Sequence, residues 1–516
     1  MNYTHNDTML SSVVFLITSL CVIATLFLYK KITHTYSYWK RKSVIFAEPL
    51  PFFGNIKDAA MFKLTQGQCL QNIYNEFPNE KYVGIYQFLK PTLLLRDPET
   101  IKIFTVKNFA HFTDRGFSYD GHREPLTNHL VNMEGDMWKI LRQKLTPAFS
   151  SGKIKNMMGM LRKCGEQLIE HIEKGISAGV TDYDMRDLTA KYTTDVIGTC
   201  AFGLNCNSLT DTDSEFRQMG NAVLNSSISL AIAKAFRVFF PKMFNILNLR
   251  TFPIEVQKFF LAIVKQTIAY RRDYKIQRDD FIQLLLEMKS NQEFQNDEKQ
   301  FPTIELTEEL IAAQVFVFFL AGFETSSTTL SFCLHELALN PDIQLKVQME
   351  IADKINKDGL PFTYESVISM EFLEQCIKET MRKYPPVQAL VRKCTKPFQL
   401  PDSKAVIDEG TGILIPVYGI HHDPKYYPEP EVFDPNRFKK EEITKRPTSS
   451  YLPFGDGPRT CIGMRFAMIE MKLALAQFLQ NYSVSINEKS SRQIQFEPAS
   501  FLSTPKGGIW LKVKKR

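Results

Sequence analysis

The chain is predicted to fold as a mainly α-helical protein with a small β region, and three features carry that prediction. From Thr307 to Asn340-Pro341 a helical pattern runs without a breaker for more than thirty residues. Near the C-terminus, MRFAMIEMKLALAQFLQ reads as an amphipathic helix after a Gly/Pro-rich loop. Strand-like segments are short: Tyr82 to Phe88, Thr92 to Leu95 closed by Asp97-Pro98, hairpins within Ala405 to Ile420, and Gly508 to Val513.

The N-terminus departs from soluble behaviour. Ser11 to Tyr29 is uncharged, roughly 19 residues or about 28 Å as a helix, which matches a bilayer core. No Lys or Arg precedes it, whereas Lys30, Lys31, Lys40, Arg41 and Lys42 follow, an asymmetry that keeps the bulk of the chain cytoplasmic. A cleaved signal peptide would carry a basic n-region and a small-residue cleavage site, and both are missing. The expected organisation is a lumenal tail (1–10), a transmembrane anchor (11–29), a basic linker with a Pro-rich hinge (30–54) and one large domain (55–516).

Within that domain, Met137 to Glu287 is mainly helical and Lys289 to Thr303 has loop composition. Thr307 is the expected N-cap of the long helix, with Glu308 and Glu309 in its first turn. Val315 to Leu320 is apolar all round, so this helix should run through the interior. A further helix, Met370 to Tyr384, stops at Pro385-Pro386. Composition narrows function. Hydrophobic residues are 44% and charged residues 23%, an ordinary globular balance, and 40 Phe supply a core able to line an apolar cavity. A formal charge of +7, with no dense basic run interleaved with aromatics, gives nucleic-acid binding no support. Nine scattered Cys without a CxxC pair argue against a disulfide framework or zinc cage and for a cytosol-facing compartment.

The most informative segment is Tyr451 to Gly463, YLPFGDGPRTCIG. Its glycines and prolines build a tight loop that leaves Cys461 at a helix N-terminus. There backbone N–H groups, the dipole and Arg459 should lower a thiol pKa. An isolated Cys is more often a small buried hydrophobe. Here Phe454, Gly457, Arg459, Cys461 and Gly463 fill FxxGxRxCxG. Glu379 and Arg382 form ExxR on one helix face, Arg437 lies in FDPNRF, Trp138 and Arg142 form WxxxR, and Ala321-Gly-Phe-Glu-Thr325 sits mid-helix. Across essentially its whole length the chain resembles the cytochrome P-450 family. Phe112-Thr-Asp-Arg115-Gly and Lys144-Leu-Thr-Pro147 bring it near the insect microsomal xenobiotic-metabolising group. The Pro-rich hinge, Glu48-Pro-Leu-Pro51, departs from the PPGP common in microsomal members.

The resemblance implies a haem-thiolate monooxygenase: RH, dioxygen, two electrons and two protons give ROH and water. Haem b would be bound through Cys461 as axial iron ligand, beside Phe454 and Gly463. Arg142 with Trp138, Arg392, Arg459 and Arg115 would hold its propionates. Glu379, Arg382 and Arg437 would brace the cysteine loop. Gly322 would open a notch for dioxygen, while Glu324 and Thr325 deliver protons through water. Back-bonding to the helix itself fits Ser326 to Thr329 better than Thr325. No GxGxxG fingerprint is present, so electrons should come from a separate NADPH–cytochrome P-450 reductase, with cytochrome b5 as a second donor. Lys472 and Arg465 are candidates for the docking face. The implied location is the endoplasmic reticulum membrane, in contact with membrane lipid, with the domain cytoplasmic.

Rival readings are a haem isomerase or dehydratase of the same fold, or a non-catalytic membrane haem protein. The intact Glu324-Thr325 pair favours monooxygenation. His421-His422 resembles a metal pair, but adjacent side chains point apart. The substrate should be an apolar small molecule, lined by Phe117 to Met133, Phe316 to Thr325, Pro386 to Val391 and Phe501 to Ser503. A toxin, a hormone precursor or a fatty acid would each fit. The Phe-rich stretch Phe236 to Leu261 either caps the pocket at the membrane surface or is helix core.

Overall fold

The computed structural model describes residues 3–211, 214–224, 228–294, 304–358 and 362–516. Its first helix, Tyr3–Tyr36, is longer at both ends than the apolar run inside it. The chain then packs down at once: Trp39 is wholly buried, its indole N–H donates to Ile85 O at 3.0 Å, and it fills the space beside Gly84, where a Cβ would lie 2.5 Å from the ring. Phe46 bridges to Gly84 and Gly54 to Gln87. The stretch expected to be a hinge is therefore docked on the domain from Trp39 onward.

Strand β1 (Tyr82–Gln87) pairs antiparallel with β2 (Lys90–Leu95). Two later strands complete a sheet of order β1-β2-β7-β4: β4 (Leu390–Lys393) and β7 (Gly412–Ile415), with β2 and β7 parallel. The hairpins expected within Ala405 to Ile420 do not form. Val406–Ile407 (β6) pairs with Phe398–Gln399 (β5), β7 is buried along its whole length between β2 and β4, and Val417–His421 is helical. A short apolar run such as GILI suits a central strand as well as a hairpin arm, and only the tertiary partner decides. The last strand, β9 (Trp510–Lys515), lies between β3 (Asp182–Asp184) and β8 (Tyr482–Ile486).

The long helix is Glu308–Leu339. Thr307 Oγ1 accepts from Leu310 N, and the helix ends at Asn340, before Pro341. It is long and apolar enough to cross a membrane, yet most of it is buried within the domain. Helices Met185–Ile197 and Ile254–Tyr274 pack along it. Helix Phe281–Phe294 runs into the stretch expected to be loop, and residues 295–303 lie outside the described residues.

A buried charge network is linked by hydrogen bonds to the cysteine loop. On the helix Glu371–Lys383, Arg382 Nε and Nη2 donate to both oxygens of Glu379 at 2.7 and 2.9 Å, and neither side chain is exposed. Arg437 Nε lies 3.3 Å from Glu379, without the alignment of a hydrogen bond. Asp434 N donates to Glu379, and Arg382 donates to His421 O and Pro430 O. From there the brace passes to the loop. His421 Nδ1 faces Arg382 O at 3.2 Å, Nε2 accepts from Leu452 N at 2.9 Å, and Tyr451 OH donates to Lys378 O. His421 thus serves as a neutral backbone clamp, its pKa driven well down by burial. Glu379→Ala would strand two guanidinium groups and should cost about 3–5 kcal/mol. Urea unfolding of the purified protein should show the loss.

Candidate active site

Cys461 sits at the end of a loop whose geometry demands glycine. Gly457 has φ +68°, and a Cβ there would lie 1.9 Å from Thr105 O. Asp456 ties this turn down, accepting from Gly457 N, Thr105 Oγ1 and Ser449 Oγ. Cys461 N donates to Phe454 O at 2.8 Å, and Gly463 is the N-cap of helix Met464–Asn481. Cys461 is exposed, and it lines a cavity that it shares with Arg115 and Arg142. Burial pushes its thiol pKa up, against the Gly463 N–H and the charges of Arg142 and Arg115. Burial thus outweighs the helix terminus here, and the charges that act in the opposite direction are those of Arg142 and Arg115.

The cavity, about 360 Å³, is mostly apolar, and Phe117, Phe149, Phe281, Phe318, Val387 and Phe501 are among its walls. Trp138, Phe454 and Gly463 also line it. Its polar rim is cationic. Arg115, Arg142, Arg392 and Arg459 all reach it, and burial depresses Arg115 to about 10 and Arg392 to about 9. Among the described residues, no carboxylate is at ion-pair distance from Arg115, Arg142 or Arg392, and Arg392 Nε is buried without a partner. Arg459 differs. It stacks 3.9 Å over Trp138 and donates to Thr113 O, Leu130 O and Met133 O, while burial brings it to about 8. Guanidinium groups without a carboxylate partner, lining the same cavity as a thiol, suit a ligand that brings its own carboxylates.

The long helix presents Val317, Phe318, Ala321, Gly322, Thr325, Ser326 and Thr329 to the cavity. Gly322 lines the cavity, and a Cβ there would meet Ile197 Cδ1 at 2.6 Å. The glycine lets two helices approach. Thr325 Oγ1 donates to Ala321 O at 2.6 Å, so it does back-bond to its helix, whereas Ser326 does not and donates instead to Glu470 Oε2 at 3.0 Å. Glu324 is not a cavity residue: it turns to Arg186 on the neighbouring helix, at 2.6 Å. Lys472, expected on a docking face, is buried with its ammonium on Ile368 O and Glu374, while Arg465 is exposed. His421 has both ring nitrogens engaged, at Arg382 O and Leu452 N, while His422 Nδ1 faces Tyr418 O at 2.8 Å.

Sequence reading missed Glu470. It is wholly buried on the cavity wall, Ser326 is its hydrogen-bond partner, and Oε1 has none. Burial raises its pKa from 4.5 to about 8, so the folded state holds a proton that the unfolded state has lost. The associated stability is fully present below pH 4.5 and disappears as pH rises toward 8. Glu470→Gln should flatten that slope. Thermal unfolding from pH 5 to 8.5 should show wild type falling relative to the variant.

The family model described as Cytochrome P450 matches residues 46–511. Probable cytochrome P450 6a14 of Drosophila melanogaster is 42% identical over 489 residues, covering 93% of this chain and 96% of the fly protein. Probable cytochrome P450 6a13 of the same species is 41% identical, covering 95% and 97%, and cytochrome P450 6B2 of Helicoverpa armigera is 38% identical, covering 96% and 97%. A thiol beneath an apolar cavity rimmed by unpaired arginines and a family match of this extent lead to one conclusion: the chain belongs to the cytochrome P450 family and is a haem-thiolate monooxygenase related to insect members along nearly its whole length.

Proposed function

We propose that Cys461 is the axial ligand of haem b in this monooxygenase. The observation that carries the assignment is its sulfur opening into an apolar cavity ringed by Arg115, Arg142 and Arg392 without facing carboxylates. The residues present fit the cofactor: those three arginines would take the propionates, Arg459 and Trp138 would stiffen the rim, and Phe454 and Gly463 would flank the ring. Bound haem supplies the activation of dioxygen for insertion of one oxygen atom into substrate. The chain's own side chains do the rest. Arg142 and Arg115 favour the anionic sulfur, and the aromatic walls exclude water and hold an apolar substrate. Gly322 shapes the oxygen side by admitting Ile197. Thr325 offers its hydroxyl lone pairs to water in the cavity. Glu324, paired with the partly exposed Arg186, supplies protons from outside when that pair opens.

The redox partner in this reading is the NADPH–cytochrome P-450 reductase, with cytochrome b5 as a second donor. Residues 1–10 are lumenal, 11–29 the anchor, and the basic linker and hinge (30–54) dock from Trp39 onward on the catalytic domain (55–516), which stands on the cytoplasmic face of the endoplasmic reticulum. Support comes from the N-terminal helix, where Phe15, Leu16, Ile23, Leu26 and Phe27 stand exposed with Lys30 and Lys31 behind them. The Phe236 to Leu261 stretch divides between its two readings. Phe239 and Phe240 cluster with Phe88 near exposed Ile246 and Leu247, facing the membrane, whereas Phe252 and Phe260 pack on Phe316 as core.

Cys461→Ser should abolish the red-shifted Soret band of the reduced carbon monoxide complex, and a persisting band would refute the ligand assignment. Thr325→Ala should leave that band intact but raise peroxide release per NADPH consumed. Unchanged coupling would contradict the proton role.

A further inference from the structure

Gln314 stands just before the apolar run of the long helix, wholly buried and outside the lining of the cavity. Its carboxamide reads a peptide backbone. Oε1 accepts from Leu130 N at 2.9 Å, and Nε2 donates to Asn128 O at 3.1 Å as well as to Leu310 O on its own helix. A carboxamide carries both a donor and an acceptor, so it can close on an N–H and a C=O two residues apart. Glu at this position would lack the donor, Met would lack both groups, and Asn would fall one methylene short. Buried peptide groups need such partners.

The segment held in this way is the cavity wall. Leu130 and Val131 line the cavity, and their carbonyls also accept from the rim: Leu130 O from Arg459 and Val131 O from Arg115. Met133 O accepts from Arg459 as well. One short backbone stretch is therefore pinned to the long helix on one side and to the cationic rim on the other. The fixed point on the helix is Gln314, about 185 residues away in sequence. We propose that Gln314 is a specificity-determining positioning residue that sets the Leu130–Val131 face against which substrate packs. This rests on the cavity being the substrate site.

The test uses the full-length holoenzyme with Gln314→Met and Gln314→Asn, and alkylbenzenes of increasing chain length as probes. Both variants should keep the thiolate signature of the reduced carbon monoxide complex. Amide exchange at Leu130 should accelerate, KM should rise about fivefold for the longer probes, the equivalent of one net hydrogen bond, and the ratio of hydroxylated positions should shift. The rate on the shortest probe at saturation should hardly change, a split that a loss of stability would not produce. Gln314→Asn keeps the test alive if the methionine variant does not fold. Unchanged Leu130 exchange would overturn the proposal, as would faster exchange with the same KM series and product ratio. If the parent enzyme shows no spectral response to any alkylbenzene, the cavity assignment falls, and this inference with it.

Discussion

A single buried carboxylate, Glu379, anchors the chain of hydrogen bonds that reaches the cysteine loop. It receives two hydrogen bonds from Arg382, one from Asp434 N and the charge of Arg437, and burial works against its ionisation throughout. Such a group is stable only while its cations stay, and the cations only while it does. The cluster also makes no contact with Cys461. It acts through Arg382 on the backbone of His421, and His421 then clamps Leu452, nine residues ahead of the sulfur. The cysteine loop is thereby linked to an ion pair on another helix.

Around the sulfur the logic reverses. Instead of matched charges, the protein leaves cations unmatched. Arg115 and Arg392 are depressed by burial and, among the described residues, form no ion pair, so the rim carries positive charge that an anionic cofactor would complete. Arg459 alone is fully occupied with the protein's own carbonyls, which makes it the strut between the cysteine loop and the cavity wall. Stability and binding are thus divided between two arginine clusters, one closed and one open.

Much of this was legible in the sequence. The glycines of the cysteine loop, ExxR and the apolar mid-helix run each impose a local geometry, and each led to the right element. What escaped were pairings whose partners lie far apart. Nothing near Glu324 announces Arg186, and nothing near Glu470 announces Ser326, because either carboxylate could face several ways on its helix. Nothing near Gly322 in the chain announces Ile197, whose side chain packs against it from another helix. Arg459 was read as the charge beside the sulfur because it is adjacent in sequence, while Arg142 and Arg115 reach it through the fold. The strand pairing of residues 405–420 failed for the same reason: local pattern defines a strand but not its neighbour.

The central claim is that the Cys461 sulfur binds the iron. Iron K-edge X-ray absorption of the purified wild-type holoenzyme tests it most directly, alongside Cys461→His. The account predicts a sulfur neighbour in the first coordination shell of wild type, replaced by nitrogen in the variant. A wild-type shell of nitrogen and oxygen alone, or a sulfur neighbour that survives the substitution, would contradict it.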